Sequence, residues 1–141
     1  MRTVSPGTRY KITAGFGSAS KVADQAMGKV PRHNRPDRMN KTEARYGLYL
    51  TALMHAGVID SWAFEDVKLR LADKTFYTPD FMVIQPSSDG NLLLEFHEIK
   101  GYERDDAIVK FKCAAERFHR FRFKMIKLVK GEWIVTRDSW A

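Results

Sequence analysis

Asp80 and the triplet Glu98-Ile99-Lys100 set two carboxylates and an ammonium on two consecutive runs that read as strands. The runs are Tyr77-Thr78-Pro79-Asp80-Phe81-Met82-Val83-Ile84 and Leu92-Leu93-Leu94-Glu95-Phe96-His97-Glu98-Ile99-Lys100. Strand side chains alternate between faces, so Glu98 and Lys100 share one face and apolar Ile99 takes the other. If the neighbouring strand brings Asp80 alongside, two acids could hold a hard divalent cation and the lysine could meet an anion. That is the minimum equipment for metal-assisted phosphodiester hydrolysis. Each residue also has a plainer role. Thr78-Pro79-Asp80 suits a turn whose carboxylate satisfies nearby amides, and Glu98 with Lys100 suits a surface ion pair of little energetic weight.

The elements that must position these groups are legible in outline. Asn40 can cap a helix, with Glu43 at its third position in a capping-box arrangement. Tyr46, Tyr49, Leu50 and Leu53 recur at helical spacing, and Gly57 is a natural stop. Glu43 lies on the same stripe as Tyr46 and Leu50, so it is a third candidate acid at the edge of the face turned to the sheet, although its capping role needs no catalytic reason. Residues 62–71 alternate around Phe64, Val67, Leu69 and Leu71 and read as one strand, bulged near Glu65-Asp66. Ala72-Asp73-Lys74-Thr75 turns into the Asp80 strand, and Pro86-Ser87-Ser88-Asp89-Gly90-Asn91 turns into the Glu98 strand, so the three form an antiparallel meander. Gly101 ends the third strand. Asp105-Asp106 then open a second helix, whose buried stripe is Ala107, Ile108, Phe111, Ala114, Ala115 and Phe118. Phe121, Phe123, Met125 and Leu128 form a further strand, and Trp133-Ile134-Val135-Thr136 a last one after the Lys130-Gly131 turn. The order is helix, three strands, helix, strand, strand.

With 141 residues the chain is expected to be one domain with a real core. No apolar run is long enough to span a bilayer, and Met1-Arg2-Thr3 leads into polar sequence rather than a signal-peptide core, which predicts an intracellular, cytoplasmic protein with no membrane partner. Cys113 is the only cysteine, which excludes an intrachain disulfide and a zinc–thiolate cluster and leaves Cys113 as a small buried hydrophobe. The net charge of +7 is uneven: residues 1–41 hold nine Lys/Arg against Asp24 and Asp37, while the rest of the chain is neutral overall. Residues 110–130 hold eight Lys/Arg against Glu116 alone. Two basic regions flanking an acidic site suit a polyanionic partner. Arg32, Arg35, Arg38, Lys110, Lys112, Arg120 and Arg122 are the candidate phosphate contacts. Residues 1–39, rich in Gly, Ser, Pro and basic side chains, read as a partly flexible arm, with residues 40–141 the folded domain.

Pro79-Asp80 followed eighteen residues later by Glu98-Ile99-Lys100 resembles the PD-(D/E)XK nuclease motif. Glu43 on a preceding helix is similar to the extra acid of many members, and the element order over residues 40–130 is similar to that superfamily's core. Asn40-Lys41-Thr42-Glu43, Trp62-Ala63-Phe64-Glu65 and Tyr77-Thr78-Pro79-Asp80-Phe81 resemble a bacteriophage branch related to Holliday-junction resolvases. The resemblance implies an α/β (α+β) fold with a restriction-endonuclease-like core, a mixed sheet flanked by helices. It implies Asp80 and Glu98 as ligands of Mg²⁺ or Mn²⁺ with the Ile99 carbonyl as a third, Glu43 assisting a metal, and Lys100 orienting water or stabilising the phosphate. It implies DNA, branched by analogy, as substrate, and a homodimer that places two active sites on a two-fold symmetric junction. The chain would act in the host cytoplasm if phage-encoded. A restriction-like or nicking nuclease on linear duplex, or a non-catalytic nucleic-acid-binding module, remain the alternatives. His97 is expected to point away from Glu98 into the core, Glu65 to be an edge charge, and Glu103, Asp105 and Asp106 to be helix-start acids; His33, His55 and His119 have no metal-ligand spacing.

Overall fold

The computed structural model describes Tyr10–Lys11, residues 38–101 and residues 105–141. Arg32, Arg35, His33, Glu103 and most of the basic arm lie outside the described residues. In chain order the elements are β1 (Tyr10–Lys11), α1 (Lys41–His55), β2 (Ser61–Phe64), β3 (Leu69–Ala72), β4 (Thr75–Tyr77), β5 (Phe81–Pro86), β6 (Leu92–Ile99), α2 (Asp105–Arg117), β7 (Arg122–Val129) and β8 (Glu132–Asp138). The result is an α+β fold: a mixed sheet in the order β1-β8-β7-β6-β5-β2, and a separate β3-β4 hairpin. No helix among the described residues is long and apolar enough to cross a membrane.

Helix α1 starts where the capping box requires. The Asn40 side chain accepts the Glu43 N–H at 2.9 Å, and the Glu43 carboxylate accepts the Asn40 N–H at 2.9 Å, so two donors that the first turn leaves unpaired are both satisfied. Gly57, at φ +75°, turns the chain out at the other end. Gly47 lets the helix approach β2 closely, since a Cβ there would stand 3.2 Å from the Trp62 ring.

The sheet is sandwiched between two apolar layers of different origin. On one face Tyr46, Leu50 and Leu53 of α1 pack with Phe81, Val83, Ile99, Ile126 and Val135. On the other, Phe111, Ala114 and Ala115 of α2 pack with Phe96, Phe123 and Met125, and the hairpin adds Leu69 and Tyr77 to the same cluster. β2, β5 and β6 form the expected antiparallel meander. β6 and β7 run parallel with α2 as their crossover, the length of connection that parallel neighbours demand. β7 and β8 close through Lys130-Gly131, whose φ values of 49° and 77° are those of the hairpin turn that matches strand twist.

Three expectations are corrected. Residues 62–71 are not one bulged strand. β2 stops at Phe64, and Glu65 adopts a left-handed backbone (φ 46°) that turns the chain out of the main sheet before β3 begins at Leu69. The apolar alternation changes phase at the break, from Trp62 and Phe64 to Val67, Leu69 and Leu71, because the two parts face different cores. In consequence Ala72-Asp73-Lys74-Thr75 closes the β3-β4 hairpin, and the run Tyr77–Ile84 is not one strand either: Tyr77 ends β4, and Asp80 stands just before β5. Cys113 is exposed. It lies two residues, about 200° of helical rotation, beyond the buried Phe111, which puts it on the solvent side.

Candidate active site

The register of β5 on β6 pairs Phe81 with His97, and continuing it by one residue sets Asp80 opposite Glu98. Both project to the α2 side of the sheet, because Phe81 and Ile99 next to them are buried against α1. The Ile99 N–H donates to Asp80 Oδ2 at 2.8 Å, so the main chain of β6 fixes the carboxylate that closes onto it. Beyond β6 the ladder runs one step further, with the Lys100 N–H donating to the Ile126 carbonyl at 2.9 Å. That bond holds the Lys100 backbone, and its ammonium meets Glu98 Oε1 at 3.0 Å. The other Glu98 oxygen accepts the Tyr77 hydroxyl at 2.8 Å. Asp80, Glu98, Lys100 and Tyr77 thus converge at the C-terminal end of β6.

The electrostatics of this cluster are strained. Burial, followed by the charges of Glu98 and Glu43, pushes the Asp80 carboxyl up from its ordinary 3.8 to about 8, against the opposing pull of the Ile99 N–H and Lys100. Burial and then the Glu98 charge also push the Tyr77 phenol far up, so it stays a proton donor to Glu98 at all ordinary pH values. The dependence of Asp80 on Glu43 places the α1 acid within electrostatic reach of the pair while its carboxylate serves the helix cap.

Ile99 contributes its N–H to Asp80, and its side chain faces the α1 core. Glu65 is exposed, and its main-chain N–H donates to the Asp80 carbonyl at 2.9 Å, so its backbone rather than its carboxylate serves the site. Among the described residues no three His, Cys, Asp or Glu side chains are gathered into a metal cage. Arg38, Lys110, Lys112 and Arg120 are exposed. Arg122 is engaged inside the fold, with Nε 3.0 Å from Asp138 and a terminal nitrogen 3.7 Å from Glu95.

That arginine belongs to a second, buried polar cluster on the α1 face. His97 points away from Glu98, as alternation requires, and its Nε2 lies 2.8 Å from Glu95 Oε2 while the Tyr46 hydroxyl lies 2.6 Å from Nδ1. Burial alone would raise Glu95, but the His97 bond and the Lys124 ammonium at 3.1 Å outweigh it and hold the acid ionised. Burial lowers His97, keeping it neutral. An ionised Glu95 can only accept, so Nε2 carries the proton and Nδ1 accepts from Tyr46. The network ties α1 to the strand that bears Glu98.

Tyr77 and Glu95 are the residues that sequence reasoning passed over. Alternation along Glu95-Phe96-His97-Glu98 already separates Glu95 and His97 from Glu98, and the same period on Arg122-Phe123-Lys124 supplies their partners. Tyr77 carried no such signal, because its role depends on where the hairpin folds back. Compared with known proteins, the chain matches no family model, no curated protein and no solved structure.

Proposed function

We propose that this chain is a divalent-cation-dependent endodeoxyribonuclease of the PD-(D/E)XK type, structure-selective for branched DNA and working as a homodimer. The observation that carries the reading is the meeting of Asp80, one residue before β5 and held by the Ile99 N–H, with Glu98 of β6 and the Lys100 ammonium that Glu98 binds. The donor set suits Mg²⁺ or Mn²⁺. These cations take oxygen ligands, and Mg²⁺ commonly uses only one or two carboxylates and completes its shell with water and substrate phosphate, so an all-protein cage is not required. Asp80 and Glu98 would hold the cation, with the Ile99 carbonyl as a further oxygen and Glu43 at the periphery. The raised Asp80 carboxyl supports the same reading, since crowded acids are what a cation relieves. Such a cation supplies Lewis acidity and neutralises charge at the scissile phosphate.

The protein's own groups have distinct tasks in this reading. Lys100, already held by Glu98, offers its ammonium to the charge that grows on the phosphate oxygens or to the attacking water. Tyr77 and the Ile99 N–H each occupy one oxygen of a carboxylate, which fixes the direction of the remaining lone pairs. The charge of the basic N-terminal segment and of the exposed Lys110, Lys112 and Arg120 suits a phosphate backbone.

The test compares four-way, forked and linear duplex DNA at equal concentration, with Mg²⁺ and with chelator. Mg²⁺-dependent cleavage strongest on the four-way junction is expected. Preference for linear duplex would reassign the substrate to a restriction-like or nicking enzyme. Salt-sensitive binding with no cleavage at any metal concentration would reduce the chain to a binding module. In the same assay Tyr77→Phe is expected to lose about 10–100-fold in rate, the usual cost of removing a hydrogen bond that orients a metal ligand. Unchanged cleavage by that variant, with folding intact, would deny Tyr77 a positioning role.

A further inference from the structure

The β3-β4 hairpin has two faces with opposite characters. Its inner face places Leu69 and Tyr77 in the α2 core and sends the Tyr77 hydroxyl to Glu98. Its outer face carries Lys68, Arg70 and Phe76, all exposed, with Phe76 the register partner of Arg70. Phe76 leaves 40% of its surface to solvent, and the Lys68 ammonium sits over its ring at 4.6 Å from the centroid. Lys74 stands at the tip in a left-handed conformation, so residues 68–76 hold three cations against Asp73. The Arg70–Asp73 pair at 3.4 Å is well exposed on both sides and leaves the arginine available to another anion.

A solvent-facing aromatic is not needed to hold this hairpin down, because Leu69 and Tyr77 already anchor it. An aromatic ring interleaved with cations is instead the surface chemistry of a strand-binding platform. A base stacks on the π-face, and the ammonium and guanidinium groups take the flanking phosphates. Alternation ties the two functions together, since Phe76 and Tyr77 are consecutive: one faces outward and the other touches the ligand carboxylate. We infer that the outer face of the β3-β4 hairpin binds an unpaired stretch of the DNA substrate, with a base stacked on Phe76 in place of the Lys68 ammonium, which swings out with Arg70 to the adjoining phosphates. The proposal rests on the nuclease reading for its substrate and adds to it a basis for preferring DNA with an unpaired arm, such as a fork, over fully paired DNA. A four-way junction offers such a base only where pairs at its crossover open. Only an unpaired nucleotide frees the base face that Phe76 takes.

The test measures binding without divalent cation, so that its outcome does not depend on catalysis. Forked DNA carrying 2-aminopurine in its single-stranded arm is titrated with the wild-type protein and with Phe76→Ala, Phe76→Leu and Phe76→Trp, each checked for an unchanged thermal midpoint. Wild type is expected to quench the arm fluorescence. The Ala and Leu variants should bind the fork about tenfold more weakly with the quenching lost, and Trp should restore both. Affinity for fully paired duplex should stay within twofold in all four proteins. Equal fork affinity in the Phe76→Leu and wild-type proteins would overturn the proposal, as would an equal loss on fully paired duplex or no binding of forks by wild type. The nuclease reading is judged separately, by Mg²⁺-dependent cleavage. Cleavage with Phe76-independent binding sinks only the platform, and Phe76-dependent binding without cleavage sinks only the enzyme.

Discussion

Asp80→Asn and Glu98→Gln are each expected to lower Mg²⁺-dependent DNA cleavage on the order of a thousandfold. A cation's charge at the transition state is worth several kcal/mol, and every ~1.4 kcal/mol is tenfold in rate. Asp80 is anchored just before β5 and Glu98 near the end of β6, each by its own hydrogen bonds, so neither can replace the other without moving main chain. Both substitutions keep the shape and the acceptors that the Ile99 N–H and the Tyr77 hydroxyl use, so folding and DNA affinity should survive. Gel-shift titration in chelator beside a cleavage time course checks both halves of the statement. Cleavage by either variant at the wild-type rate would remove the metal-site assignment.

Asp80→Asn is also expected to raise stability, with the gain growing with pH. The Asp80 carboxyl titrates at about 8 in the fold against an ordinary 3.8, chiefly because it is buried and secondarily because Glu98 and Glu43 repel its charge. Between these values the folded chain binds more protons than the unfolded chain. The stabilising contribution of the protonated form is therefore complete below pH 3.8 and is lost as pH rises towards 8. At pH 8 the amide variant should melt several degrees above wild type, and near pH 4 the two should converge. Mg²⁺ should narrow the gap at pH 8 by stabilising wild type alone, since a ligand that binds only the folded state shifts the equilibrium towards it. Thermal melts across pH with and without Mg²⁺ decide it. A variant that melts below wild type at pH 8 would mean that the Asp80–Ile99 bond outweighs the repulsion. A gain that does not change with pH would disconnect it from the carboxylate.

These two outcomes oppose each other in a way that is common at functional sites, where groups are held in arrangements that the fold would relax if it could. The surrounding bonds explain how the arrangement persists. Tyr77, Lys100 and the Ile99 N–H each contribute a favourable interaction to an otherwise crowded pair. On the other face, the Glu95–His97–Tyr46 chain braces α1 against β6, so the strand carrying Glu98 is clamped from both sides.

Local chemistry made the elements that carry the acids readable in the chain. The Asn40–Glu43 capping box is a four-residue pattern that satisfies its own hydrogen bonds, so it needs no distant partner and α1 begins where it was expected. Alternation alone separated His97 from Glu98, and turn chemistry joined β5 to β6 and β7 to β8. The break at Glu65 could not be read this way. The alternation slips by one residue between Phe64 and Val67, and such a slip reads equally as a bulge within one strand or as a break between two, because periodicity does not say which core each part faces. Cys113 shows the same limit in a helix, where its place just past Phe111 and just before Ala114 concealed its turn to solvent.

What periodicity cannot encode is which strand lies beside which, because register depends on hydrogen bonds between segments far apart in the chain. That step sets Asp80 against Glu98, folds the hairpin back so that Tyr77 reaches the same carboxylate, and draws Arg122 into a buried cluster with Asp138 and Glu95. The residue types and their spacing specify which chemistry is available. The pairing of distant strands brings it to one point, since neighbouring charges alter one another's protonation only within a few ångströms.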